Sequence, residues 1–295
     1  MGVMSADDQP GAAASGGVVS PPAPDGTGGR TDVPEQAGAR DVAGDLAAGV
    51  CPFTVERPVM RQRWERLTFL HWPYEPDAVQ RLLPPGLVAQ TYDGAAWVSL
   101  VPFFMHVRTG RRGLAAPWAS FFPETNVRTY VRDGQGRPGI WFFSLDAARA
   151  GAVAVARTTY RLPYFWSSMG TVAQIDGDGV DGAAMTYTCE RRWPGPYGAA
   201  SRVVVRPGAR IPPAELDDRD HFLTARFRLF SPAGRRGAGR PRTARAWHDP
   251  WPLHRVELLD LDDELVAAAG LPAPADPPLA HYSPGVDVRI GGPET

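Results

Sequence analysis

Four side chains of unlike chemistry recur at every second position of Pro123–Val131: Glu124, Asn126, Arg128 and Tyr130. In an extended strand, side chains alternate with period two, so these four share one face and Thr125, Val127, Thr129 and Val131 the other. A carboxyl, an amide, a guanidinium and a phenol in one row are costly to bury unless they serve one another or a ligand. Arg128 could fork onto a ligand carboxylate. Glu124, if buried away from Arg128, could carry a proton as general acid or base. The competing reading is an internal Glu124–Arg128 ion pair that fixes strand register. One chemistry is excluded outright: the chain contains no lysine, all of its Lys+Arg count being arginine, so no side-chain amine can form a Schiff base.

Further candidates lie downstream. Tyr164, in LPYFW, is a candidate phenol donor to an enolate or carbonyl oxygen, or an aromatic whose hydroxyl satisfies a backbone carbonyl. Arg157 and Tyr160 are one turn apart if a helix runs through them and could face a cavity together; a surface position suits Arg157 equally. His281 and Tyr282, in HYSPGVDV, stand just before a last strand. His281 is either a proton carrier or a histidine packed under a Ser-Pro-Gly turn. Phe103, Phe104, Trp118, Phe121, Phe122, Trp141–Phe143, Phe165 and Trp166 cluster around the row, as ordinary core or as the lining of a small-molecule cavity. Trp166 joins Asn126, Arg128, Arg157, Tyr160 and Tyr282 as a substrate-contact candidate; Glu124, Tyr164 and His281 are the catalytic candidates.

No metal and no cofactor are expected. His248 and His254 flank two prolines without an acidic ligand motif, and His71 and His221 read as structural. Residues 177–182 (GDGVDG) read as a hairpin turn, because a calcium loop counted from Asp176 would need a glutamate where Tyr187 stands. Residues 234–242 (GRRGAGRPR) read as a solvated loop. There is no GxSxG, Walker or dinucleotide motif.

Positioning these residues requires many strands. Patterning predicts strands at Arg63–His71, Gly170–Ile175, Ala183–Arg191, Ser201–Arg206, Thr243–Trp247, Leu253–Leu259 and Val286–Ile290. It predicts one hairpin joining Leu87–Thr91 to Ala95–His106, and another joining Asn126–Arg132 to Gly139–Leu145. Helices are expected from Tyr74 to Leu83, from Asp146 (as N-cap) to Arg157, from Asp218 to Phe227 and from Asp262 to Ala269. The class is α+β: a mostly antiparallel curled sheet with a few outer helices.

Residues 1–55 are rich in Gly, Ala and Pro and cannot offset their ordering entropy. They are expected to be a disordered tail rather than a signal peptide, with one domain over 56–295. No apolar run reaches membrane-spanning length, and a net charge of −1 supplies no field for nucleic acid or anionic lipid. A cytoplasmic setting is expected, since Cys51 and Cys189 are too few for a disulfide framework. The expected partner is a small-molecule ligand, with a homo-oligomer left open.

RWERLTFLHWPYEPDAVQRLLPPGL, PETNVRTYV, YRLPYFWSSM, DHFLTARFRLF, HDPWPLHRVEL and HYSPGVDVRI together resemble the DUF2071, or YqjF-like, family from about Met60 to Ile290. That family is similar in fold to acetoacetate decarboxylase. The resemblance implies a cone-like β-barrel around a closed, apolar cavity. Where the decarboxylase pattern Arg-Glu-x-x-Gly-x-Pro-Lys carries its Schiff-base lysine, Arg157 to Tyr164 keeps the Arg and Pro spacing and ends in Tyr164. Glu124 lies at a place comparable to a glutamate that assists that chemistry. The implied function is binding of a small organic acid or carbonyl compound, with lysine-independent lyase or hydrolase chemistry. A non-catalytic sensor and a structural scaffold remain the alternatives.

Overall fold

The computed structural model describes residues 49–109, 121–159, 161–174, 183–232 and 240–294. The chain divides into two units, residues 1–37 and 38–295, and every described residue lies in the second. Most of the expected tail, Trp118, Tyr160, the 177–182 turn and residues 234–239 lie outside the described residues. Among those described, no helix is long and apolar enough to cross a membrane.

Among the described residues, thirteen strands form one sheet. They are β1 (Met60–Tyr74), β2 (Leu87–Ala89), β3 (Thr91–Tyr92), β4 (Ala95–Thr109), β5 (Phe121–Asp133), β6 (Pro138–Ala147), β7 (Tyr164–Gln174), β8 (Ala184–Trp193), β9 (Ala200–Arg210), β10 (Arg228–Ser231), β11 (Arg242–His248), β12 (His254–Asp263) and β13 (Leu279–Ile290). Four short α-helices accompany them among the described residues: α1 (Pro76–Gln80), α2 (Ala150–Thr159), α3 (Asp218–Thr224) and α4 (Leu265–Ala268). The strand order is β11-β10-β6-β7-β8-β9-β12-β13-β1-β4-β5-β2, with β3 on β4 and further pairings β5–β6 and β11–β13. Two hydrogen-bonded circuits result. One runs through β7, β8, β9 and β12, the other through β10 and β11. Both share the wall β13-β1-β4-β5-β6.

Because this wall is covered on both sides, β5 is buried without a break from Glu124 to Val131. One face packs on an apolar core containing Leu70, Leu100, Val127, Tyr187 and Val203. The opposite face meets a second cluster, with Phe69, Val101, Phe103, Trp251 and Val288. Strand β5 runs beside β4 in unbroken register, from Phe103 opposite Glu124 to Val98 opposite Thr129. The alternation expected from the sequence is therefore kept.

Several local expectations give way to tertiary contacts. Asp146 does not cap a helix: it stays within β6 as the partner of Phe165 and binds Arg191. Strand β2 pairs with β5, and only Thr91–Tyr92 folds back on β4. Helix α3 stops at Thr224 before Ala225–Phe227, and its start is a capping box between Asp217 and Asp220. Helix α4 is limited to Leu265–Ala268 because Asp262 and Asp263 stay in β12, paired with Arg202 and Ser201. His281 and Tyr282 do not precede a strand; they lie inside β13, opposite Phe69 and Thr68.

Candidate functional site

The polar row of β5 faces a compartment of packed side chains contributed by six elements. Strand β5 presents Glu124, Asn126, Arg128 and Tyr130, and β4 presents Ser99 opposite Arg128. Strand β1 adds Phe69 and His71, and β13 adds His281 opposite Phe69. The segment after α3 brings Arg226, and β11 ends in His248. All of these are buried.

At one end, the Tyr164 hydroxyl donates to Glu124 Oε2 at 3.0 Å. Glu124 makes no ion pair with Arg128 among the described residues, so the competing ion-pair reading fails. Burial pushes its carboxyl up to about 8, Tyr164 opposing and the Asp146 charge adding to the rise. At neutral pH Glu124 is therefore mostly a protonated acid. Burial, and then the neighbouring Glu124, push the Tyr164 phenol well above its ordinary range.

At the other end lies a chain of hydrogen bonds. His71 Nδ1 meets Ser99 Oγ at 2.7 Å, Ser99 Oγ meets the Tyr130 hydroxyl at 2.6 Å, and Tyr130 donates to the Leu223 carbonyl at 2.7 Å. A carbonyl only accepts, so the Tyr130 proton goes to Leu223, the Ser99 proton to Tyr130 and the Nδ1 proton of His71 to Ser99. Burial, His281 and Arg128 hold His71 well below its usual range, so the ring is neutral. That leaves a lone pair on His71 Nε2, which has no partner among the described residues. His281 pairs through Nε2 with Asp220 at 3.1 Å, and its ring centre lies 6.1 Å from that of His71. The His281 hydrogen bond and the Asp217 amide outweigh burial and hold Asp220 below the usual carboxylate range.

Two guanidiniums complete the compartment. Arg128 sits over the Phe69 ring, 5.5 Å from its centre. Arg226 sits over Phe222 at 4.5 Å and Tyr130 at 5.1 Å. Burial lowers both. Arg226, with Arg128 and Arg132 also nearby, falls to about 9 and so remains charged at neutrality. Burial likewise takes His248 down to about 4. Arg128 Nε, Arg226 Nε and Nη2, Asn126 Oδ1 and His281 Nδ1 have no hydrogen-bond partner among the described residues. Buried polar atoms left unpaired are uncommon and point to a missing partner.

The structure thus brings Glu124, Asn126, Arg128, Tyr164 and His281 to one side of the wall. Arg157 reaches the Tyr164 backbone carbonyl rather than the row and stacks near Trp193, which makes it a support for Tyr164. Trp166 is 42 % exposed and lines no interior. Tyr282 points into the apolar core, because its neighbour His281 takes the other face. His71, Ser99, Arg226 and His248 were not singled out for the site. The motif around Arg226, DHFLTARFRLF, was visible, but its role depends on a contact with Tyr130 across 96 positions. Among the described residues, no group of three His, Cys, Asp or Glu could hold a metal ion. Two surface hollows of about 370 and 430 Å³ lie beside Trp72 and beside Ser168, and neither includes a residue of the compartment.

The DUF2071 family model, described as an uncharacterized conserved protein, matches residues 61–287. Uncharacterized protein YqjF of Bacillus subtilis (strain 168) is 36 % identical over 230 residues, covering 78 % of this chain and 89 % of that protein. Among solved structures, the enduracididine biosynthesis enzyme MppR is similar with a TM-score of 0.56 and 16 % identity, over 80 % of this chain and 87 % of that one. An acetoacetate decarboxylase-like enzyme from Sphingomonas wittichii RW1 gives 0.55 and 15 %, over 83 % and 95 %.

Proposed function

The chain belongs to the DUF2071 family and has an acetoacetate decarboxylase-like fold, and from that premise we propose that it binds a small organic acid or carbonyl compound in the compartment lined by the β5 row. The observation that carries the reading is a protonated Glu124, hydrogen-bonded to Tyr164, on the same strand face as Arg128, which has no carboxylate partner among the described residues and keeps its Nε unpaired. Arg128 holds the ligand carboxylate. Glu124 delivers or takes a proton, and Tyr164 donates to the oxygen on which negative charge develops. The chemistry is that of a lysine-independent lyase or hydrolase. The strand circuits support reading the curled sheet as a barrel-like wall around this site. MppR has been solved with pyruvate bound, which makes small keto acids the first compounds to try. Cys51 and Cys189 are both free, in keeping with a reducing, cytoplasmic setting.

The test is a thermal-shift panel of keto, hydroxy and aromatic acids, followed by NMR of any stabilising acid for turnover. The reading expects stabilisation that Arg128→Ala abolishes and turnover that Glu124→Gln abolishes. Stabilisation without turnover in the wild type would favour a second reading, a binding or sensor protein, to which the absence of lysine already lends support. No response to any acid would overturn both.

A further inference from the structure

Arg128 and Arg226 are 6 % and 3 % exposed, and neither forms a salt bridge among the described residues. Two carboxylates around the compartment are otherwise engaged: Glu124 with Tyr164, and Asp220 with His281. Two cations are therefore enclosed together without counter-charge, an arrangement expensive enough that it implies a partner from outside the fold. Each also keeps unpaired N–H groups: Nε on Arg128, Nε and Nη2 on Arg226.

The two come from different directions. Arg128 projects from β5, two positions from Tyr130, whereas Arg226 lies across the Tyr130 ring from the segment following α3. Both guanidiniums approach the Tyr130 side chain, Arg128 along its own strand and Arg226 over the ring at 5.1 Å. Coming from two elements, each with N–H groups of its own left unpaired, they can hold the two ends of one ligand.

We propose that the compartment takes a small dicarboxylate, with one carboxylate on Arg128 and the other on Arg226. This rests on the acid-binding reading above and adds the charge and span of the ligand. Asn126 Oδ1 and the lone pair of His71 Nε2 then accept from ligand hydroxyl or enol groups between the two ends.

Calorimetric titration of the full chain with malonate, succinate and glutarate, against propionate, butyrate and inorganic phosphate, tests the idea. At least one dicarboxylate should bind about ten-fold or more tighter than every monocarboxylate and than phosphate, and Arg226→Gln should erase that preference. Equal affinity for mono- and dicarboxylates would overturn the inference and leave acid binding standing. Phosphate binding as tightly as the best dicarboxylate would also overturn it, in favour of a single-centre dianion. A preference untouched by Arg226→Gln would remove Arg226 from the site and overturn the assignment. Failure of every acid to bind would sink this inference and the acid-binding reading together. The wild-type comparison decides the ligand class even if the variant does not fold.

Discussion

Glu124 is the residue whose protonation the fold controls most clearly. Its carboxyl titrates at about 8 in the folded chain against 4.5 when unperturbed. Below about pH 4.5 both states are protonated and nothing is lost. Between there and about pH 8 the folded state binds more protons than the unfolded one, so stability falls as pH rises. One pKa unit corresponds to about 1.4 kcal/mol. Glu124→Gln should therefore flatten the decline in melting temperature from pH 5 to pH 9 and make the protein more stable than wild type at the alkaline end. An unchanged slope would mean that Glu124 is solvated. If Glu124 is the proton donor, turnover should fall as pH passes about 8. At this scale the row itself was legible, because period two is a local rule that β5 obeys. That Arg128 lacks a carboxylate partner among the described residues was not, since an ion pair with Glu124 four residues away was equally compatible with the pattern. What decided it was Tyr164, placed on Glu124 by the parallel pairing of β6 with β7.

Among the elements, β6, β7 and β8 are tied by one buried ion pair. Asp146 Oδ2 accepts from Arg191 Nη2 at 2.7 Å, and Oδ1 accepts from Arg191 Nε at 2.9 Å and from Ser167 at 2.7 Å. Both charged side chains are almost wholly enclosed. Removing one partner leaves the other charge buried alone, which costs about 3–5 kcal/mol. Arg191→Ala should lose about that much in urea denaturation. Asp146 was read as a helix cap because aspartate before an alanine-rich run has that local preference; an arginine 45 positions away outweighed it. A second strained joint is Gly285 in β13, at φ +130, where an added Cβ would run into the Trp64 carbonyl and the Glu65 backbone. Gly285→Ala should cost more than about 2 kcal/mol, read as a drop in the denaturation midpoint. SPG in the sequence suggested a turn there, and the structure turns that glycine into the close approach of β13 to β1.

Across the described residues, one five-stranded wall has two packed faces of unlike character, one apolar and one that carries the polar row of β5 beside a second apolar cluster. They should respond separately to mutation. Leu100 is fully buried on the aliphatic side, so Leu100→Ala should cost about 2–5 kcal/mol while leaving acid affinity unchanged at temperatures where the variant is folded. A parallel loss of affinity would show that the two sides are coupled. The α+β class and most strands were legible from alternation and turn residues. The closing pairs β5–β6 and β11–β13 were partly hidden, because β11 and β13 meet across about 40 residues that carry no local mark of the contact. The two-sided wall also limits how the sequence can change in length. Inserting or deleting one residue at the start of β5, before Glu124, would exchange the faces of the rest of the strand, sending Glu124, Asn126 and Arg128 towards the apolar core and Val127 towards the polar side. Substitutions along this strand can be absorbed one at a time, whereas a single-residue indel would invert the site and the core together. Length variation among natural relatives should therefore fall in the connections and leave β5 at constant length.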